Sequence, residues 1–217
     1  MTHTLHRYGD SNSFDDDYVL FVIPAMGKND EGSVEKLRTF LRICAAHKPV
    51  NMGNGEFGAY RFGQGDKPMP DYESVIAGAS RPMTMAAVFE SREKAEAAMR
   101  DVIKADLGLS VNLSTSVDRA HECCRNTGLK RHSVEYSLGF LDRHNHLPNR
   151  QALGLSTMCG HSLVSNAFAE KMIAEVKENR RTTEDAAAHL ACFCLCGIYN
   201  PARAKRLLEE ARRGNRA

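Results

Sequence analysis

The chain has no long apolar run. No stretch of it approaches the ~20 residues needed to cross a bilayer, so no membrane partner is expected. It also has no charge excess. The 29 Lys and Arg stand against 27 Asp and Glu, for a net charge of +2, which is not the electrostatic footprint of a nucleic-acid-binding protein. The opening MTHTLHRYGDSNSFDDD lacks the charged start and apolar core of a secretory signal. A cytoplasmic location with reduced thiols is therefore the expectation. There is no internal repeat and no low-complexity segment. The glycines of residues 51–82 match neither a Walker A loop nor a GxGxxG turn between strand and helix. The basic end ARRGNRA reads as a solvated helix terminus.

What is present is an ordinary globular composition, 42% apolar and 26% charged over 217 residues. That is enough for one medium domain with a core that needs no disulfides. Tyr18–Ile23 (YVLFVI) is a continuous apolar run stopped by Pro24 and reads as a buried strand. From Ser33 the apolar residues Val34, Leu37, Phe40, Leu41 and Cys44 recur at helical spacing, which makes Cys44 a core residue. The stretch 51–82, dense in Gly and Pro, reads as a long loop or a loose hairpin with Glu56–Phe62 as candidate strands, and as a possible cover for a site.

TMAAVF then reads as a strand, Ser91 as the cap of a helix, and LGLSVNLS as another strand. Thr115 and Asp118 suggest a capping box for a short helix carrying Cys123 and Cys124. In HSVEYSLGFL, Val134, Tyr136, Leu138 and Phe140 alternate with polar residues as in a half-buried strand. Strands alternating with helices predict an α/β fold with a mostly parallel or mixed sheet flanked by helices. Residues 1–150 are assigned to the sheet domain, with 1–17 as a polar arm. Residues 151–217 are assigned to a three-helix C-terminal segment packed on that domain.

That C-terminal segment carries the chemistry. Seven cysteines are present, and four of them, Cys159, Cys192, Cys194 and Cys196, fall in one stretch. CxCxC spacing in a reducing compartment favours metal or thiol chemistry over a disulfide framework. A helix is predicted from about His161, which would place Cys159 just before a helix N-terminus, where the dipole and free N–H groups stabilise a thiolate. A second helix is predicted from Thr182 or Thr183, with Gly197 as its stop, and a third from Asn200-Pro201. Cys194 and Cys196 then lie in the turn between the last two helices.

Antiparallel packing can bring the two junctions together, giving Cys159, His161, Cys194 and Cys196 as a soft donor set for Zn²⁺ or an iron–sulfur cluster. His189 is a reserve ligand or a satisfied half-buried imidazole. His144 and His146, at HxH spacing in the connector 141–155, can reach one metal or lie exposed, and Cys192 can face the core.

Met158–His161 (MCGH) resembles the MCGH stretch of the proline racemase and hydroxyproline epimerase family. The likeness covers four residues. It implies Cys159 as a base that removes a proton beside a carboxylate held by the Gly160 and His161 amides. The family's second cysteine motif is not matched by LCGIYNP.

The leading expectation is a metal-binding protein, an enzyme or a cofactor handler, with its centre at the C-terminal helix junctions. The alternatives are a metal-free enzyme using catalytic Cys159 as base or nucleophile, and a non-enzymatic binding or regulatory module. A small-molecule ligand fits the first two. Whether the chain is an enzyme, and in what oligomeric state it works, are not determined by the sequence.

Overall fold

A computed structural model describes residues 2–62 and 68–214. Four strands form one sheet: β1 (Tyr18–Ile23), β2 (Asn51–Gly53), β3 (Met85–Phe89) and β4 (Ser110–Ser114), in the order β2-β3-β1-β4. Every pairing is antiparallel. β1 runs against β3 with Leu20 opposite Ala87, and against β4 with Leu20 opposite Leu113. β2 runs against β3 with Met52 opposite Ala87.

The expectation of a mostly parallel or mixed sheet is thus corrected, and the reason is topological. Helix α1 (Ser33–Ala46) links β1 to β2, and α3 (Arg92–Lys104) links β3 to β4. Each crossover joins strands that run the same way, but a strand of the other unit sits between them. The two units interleave as a split βαβ pair, so no parallel neighbours touch.

Strand alternation divides the core. Leu20 and Val22 of β1, with Ala87 and Phe89 of β3, face Leu37, Phe40 and Leu41 of α1 and Ala95, Ala98 and Met99 of α3. Cys44 and Cys123 are buried in that layer. Val19, Phe21, Ala86 and Val88 face the other way. They meet four helices: α5 (Arg150–Ser156), α6 (Asn166–Lys177), α7 (Thr183–Ala191) and α8 (Pro201–Arg213). β1 and β3 are apolar on both sides because helices cover both sides.

Local capping explains most helix starts. Asp71 caps α2 (Tyr72–Ala77) through Ser74 N–H, and Ser91 caps α3 through Lys94 N–H. Asn149 caps α5 through Ala152 N–H, a helix inside the stretch read as a connector. Ser165 caps α6 through Phe168 N–H, and Asn200, ahead of Pro201, caps α8 through Arg203 N–H. The C-terminal segment therefore has four helices rather than three. Helix α4 (Val117–Asn126) is capped by Ser116 without a side-chain bond, so the expected Thr115–Asp118 box is not formed.

Two further expectations are corrected. Glu56–Phe62 forms no hairpin: Gly53 bridges Gly58 and a 3₁₀ turn runs over Ala59–Phe62. Part of the Gly-rich stretch, residues 63–67, lies outside the described residues, as do 215–217 of the basic tail. HSVEYSLGFL is not a strand. Leu138 is 92% exposed, and the segment pairs with no described strand. Its alternation is genuine, but no described strand pairs with it, and Phe140 meets the Tyr8 ring edge-on at 5.2 Å.

The polar N-terminal arm is tied down. Arg7 and Arg203 both bind Asp17 Oδ2, at 2.8 and 3.0 Å, and all three side chains are buried. Arg203 also donates to Tyr8 O and Ser13 Oγ. This network clamps α8 to the start of β1.

Candidate sulfur–imidazole site

The four expected donors come from two turns that the fold brings together. Cys159 lies in the loop between α5 and α6. Cys194 and Cys196 lie in the turn between α7 and α8. Cys159 and Cys194 are side-chain hydrogen-bond partners. Cys194 Sγ is 3.6 Å from Cys196 Sγ, and Cys196 Sγ is 3.5 Å from His161 Nδ1. The four residues thus form a continuous chain of contacts from the interior outward. Cys159 is 0% exposed, Cys194 1% and Cys196 8%, and His161 is at the surface.

Glycine makes the outer turn possible. The backbone of 194–197 lies directly on β2 and the residues after it. A Cβ at Gly53 would stand 2.4 Å from the Cys196 carbonyl carbon, and one at Gly58 would stand 2.1 Å from the Cys194 carbonyl oxygen. Gly197, at φ +69°, would clash with Met52 and Gly53 backbone at 2.1 Å. Three backbones approach more closely than any side chain allows. The Gly-rich stretch, read as a loop or cover, is in its first part the seat of the cysteine turn. The only signal in the sequence was its glycine density. Asn51 adds a buried bond from Nδ2 to Tyr199 O at 2.8 Å.

Backbone amides address the sulfurs. Tyr199 N–H donates to Cys194 Sγ at 3.2 Å, and the His161 N–H donates to Cys159. These bonds favour thiolate, but they are outweighed. The bond to Cys194 and then burial push the Cys159 thiol well above the usual range, and burial does the same to Cys194. Without a cation, the inner two sulfurs are neutral thiols.

The expected helix-start position of Cys159 is a correction. It stands three residues after the end of α5 and seven before α6 begins at Asn166. Ser165, not the region of His161, caps α6, and Ser162 at φ +54° keeps the chain out of helix there. No helix dipole lowers the Cys159 pKa.

The reserve candidates lie apart from the donor chain. His189 Nδ1 donates to Asp185 O at 2.8 Å within α7. His144 and His146 are exposed, their rings 6.0 Å apart. Cys192 is half-buried, donates to Tyr60 O at 3.3 Å and faces a cleft of about 320 Å³ lined by Arg61, Leu163, Cys192, Phe193 and Leu195. That cleft is not lined by Cys159, Cys194 or Cys196. Tyr199 is fully buried, and its hydroxyl has no partner among the described residues.

Among the described residues, no group of three or more His, Cys, Asp or Glu side chains is arranged to hold a metal ion as they stand. The sulfur–imidazole contacts are pairwise, along a chain. No described helix is long and apolar enough to cross a membrane. No family model, curated protein or solved structure matches this chain.

Proposed function

We propose that this is a zinc-binding α/β protein whose centre is Cys159, His161, Cys194 and Cys196. The observation that carries the reading is the pair of donor separations. Two thiolates bound tetrahedrally to zinc at about 2.3 Å stand about 3.8 Å apart, and a thiolate and an imidazole nitrogen about 3.5 Å. The separations here are 3.6 Å and 3.5 Å. Closing the donor chain into a cage requires Cys159 and His161 to turn toward a common point with the other two. A single ion suits these distances better than a four-iron cluster, whose thiolates each bind a different iron and stand further apart.

Two features of the surroundings support the choice. N–H groups already address Cys194 and Cys159, as in the outer shell of thiolate metal sites. Packing three thiols together gains little unless a cation converts them to ligands. Four protein donors leave no open position, so the ion is structural. It fastens the α5–α6 loop to the α7–α8 turn, and through Gly53 and Gly58 to the sheet. A small-molecule ligand would then bind elsewhere, with the Arg61 cleft as one concavity available to it.

The metal-free reading, with Cys159 as base or nucleophile, has less support. That sulfur is buried, lacks a helix dipole and holds its proton tightly. Cobalt substitution tests the zinc reading. One equivalent of Co²⁺ added to reduced, metal-free protein should give the intense visible bands and thiolate charge transfer of a tetrahedral centre. The weak spectrum of hydrated Co²⁺, unchanged on addition of protein, would refute it.

A further inference from the structure

We infer that the centre is also a redox site, at which a hydroperoxide joins Cys194 to Cys196 as a disulfide. The disulfide itself stands on the sulfur geometry, and the release of an ion that accompanies it rests on the zinc reading above. Four observations select this pair. Cys194 and Cys196 sit in one turn with their sulfurs 3.6 Å apart, so a change of side-chain torsion carries them to bonding distance without bringing remote segments together, as a bridge to Cys159 would. Cys196 is the most exposed of the three central sulfurs, and its outer neighbour is the surface residue His161. An oxidant therefore meets Cys196 first. Cys159 is fully enclosed, and its contact with Cys194 lies on the interior side. The four remaining cysteines lie elsewhere: Cys44 and Cys123 are buried in the opposite layer, Cys124 follows Cys123 on α4, and Cys192 is engaged with Tyr60 O.

The chemistry balances. The Cys196 thiolate attacks one oxygen of hydrogen peroxide, the O–O bond breaks, and Cys196 becomes a sulfenic acid as hydroxide leaves and is protonated to water. The Cys194 sulfur then attacks the sulfenic sulfur, the S–O bond breaks, and a second water departs. Two sulfurs lose two electrons in all, and the peroxide gains them. Were zinc bound as proposed, both sulfurs would reach the reaction as thiolates, two protons would come from solvent, and Cys194 and Cys196 would no longer be available as donors. The seat on Gly53 and Gly58 leaves the 194–197 backbone little freedom, so the change falls on the donor set and on β2 beneath it.

The test uses the full chain in zinc-loaded and metal-free forms. Each is treated with hydrogen peroxide, denatured and alkylated, and the tryptic peptide from Thr182 to Arg203 is weighed. It contains Cys192, Cys194 and Cys196. The expected product carries one alkyl group, on Cys192, and lacks two hydrogens, while Cys159 is alkylated. The loaded form releases about one equivalent of zinc to a chromogenic chelator in step with that product, and Cys196→Ser yields no such peptide. If the metal-free form makes the disulfide but the chain never held zinc, the redox inference stands and the zinc reading fails. If zinc is held but peroxide yields a bridge to Cys159, or over-oxidised cysteines without the two-hydrogen loss, the inference is overturned and the zinc reading stands.

Discussion

Replacing Gly58 by alanine probes the link between the sheet and the cysteine turn. Gly58 has no left-handed backbone angle, so alanine is permitted by the chain and only the space is wrong. Its Cβ would stand 2.1 Å from the Cys194 carbonyl oxygen, against 3.4 Å where ordinary contact begins. The turn must retreat by about 1.3 Å, the difference between these distances. The obstacle is backbone on both sides, so no side chain can rotate away. Overpacking of this kind costs about 1–3 kcal/mol, offset by at most about 0.4–1 kcal/mol from the stiffer unfolded chain. If zinc is held as proposed, shifting two of its four donors should also weaken binding by about 10–100-fold, as disturbed outer shells do.

Urea denaturation reads the first effect and chelator competition the second. Gly154→Ala is the control. It lies inside α5, meets only Leu207 Cδ1 at 3.4 Å, and should gain up to about 1 kcal/mol from helix propensity. If Gly58→Ala matches the wild-type midpoint and zinc affinity, the turn is not seated as described and the argument from backbone contact is wrong.

Other outcomes follow from the same structure. Cys159→Ser and Cys196→Ser should each lose the bound metal while Cys44→Ser retains it, as elemental analysis of the three variants would show. Asp17→Ala leaves Arg7 and Arg203 buried without their shared carboxylate, and should lower stability by about 3–5 kcal/mol in urea melts. In metal-free protein, the Cys159 and Cys194 pKa values are raised above the ordinary thiol value of 9.0. Their contribution to stability is whole below that pH and is lost as pH rises beyond it, because the unfolded thiols ionise first. Zinc-loaded protein should lack this alkaline loss, and denaturation midpoints across that range compare the two. Leu138→Asp, at a residue 92% exposed, should move stability by less than about 0.5 kcal/mol.

Much of the fold was legible because its signals are local. YVLFVI, MAAVF and the Val34–Cys44 stripe announced strand or helix by their own periodicity, and Asn200-Pro201 marked the start of α8. Sheet direction was not local. The chain from β3 through α3 to β4 is the same whether the strands touch or enclose β1, and only the long-range pairing of Leu20 with both Ala87 and Leu113 distinguishes them.

HSVEYSLGFL shows the converse failure: a strand pattern needs a neighbour, and none of the described residues supplies one. The start of α6 was misplaced because the apolar spacing of Leu163 and Val164 runs on into the helix, whereas the capping bond belongs to Ser165. That Cys159, His161, Cys194 and Cys196 could come together was expected from antiparallel packing of the helical hairpin, although the helix start after Cys159 lies further on than expected. The glycine seat beneath them was not, since close backbone approach leaves only the residue type as its trace.

Elemental analysis of the full-length protein, purified without air and without added metal or chelator, tests the central claim most directly. The account predicts one zinc per chain in the wild type and none in Cys196→Ser, both variants folded. Wild-type protein free of zinc and iron, with its central thiols alkylated as readily as those of the serine variant, would contradict it.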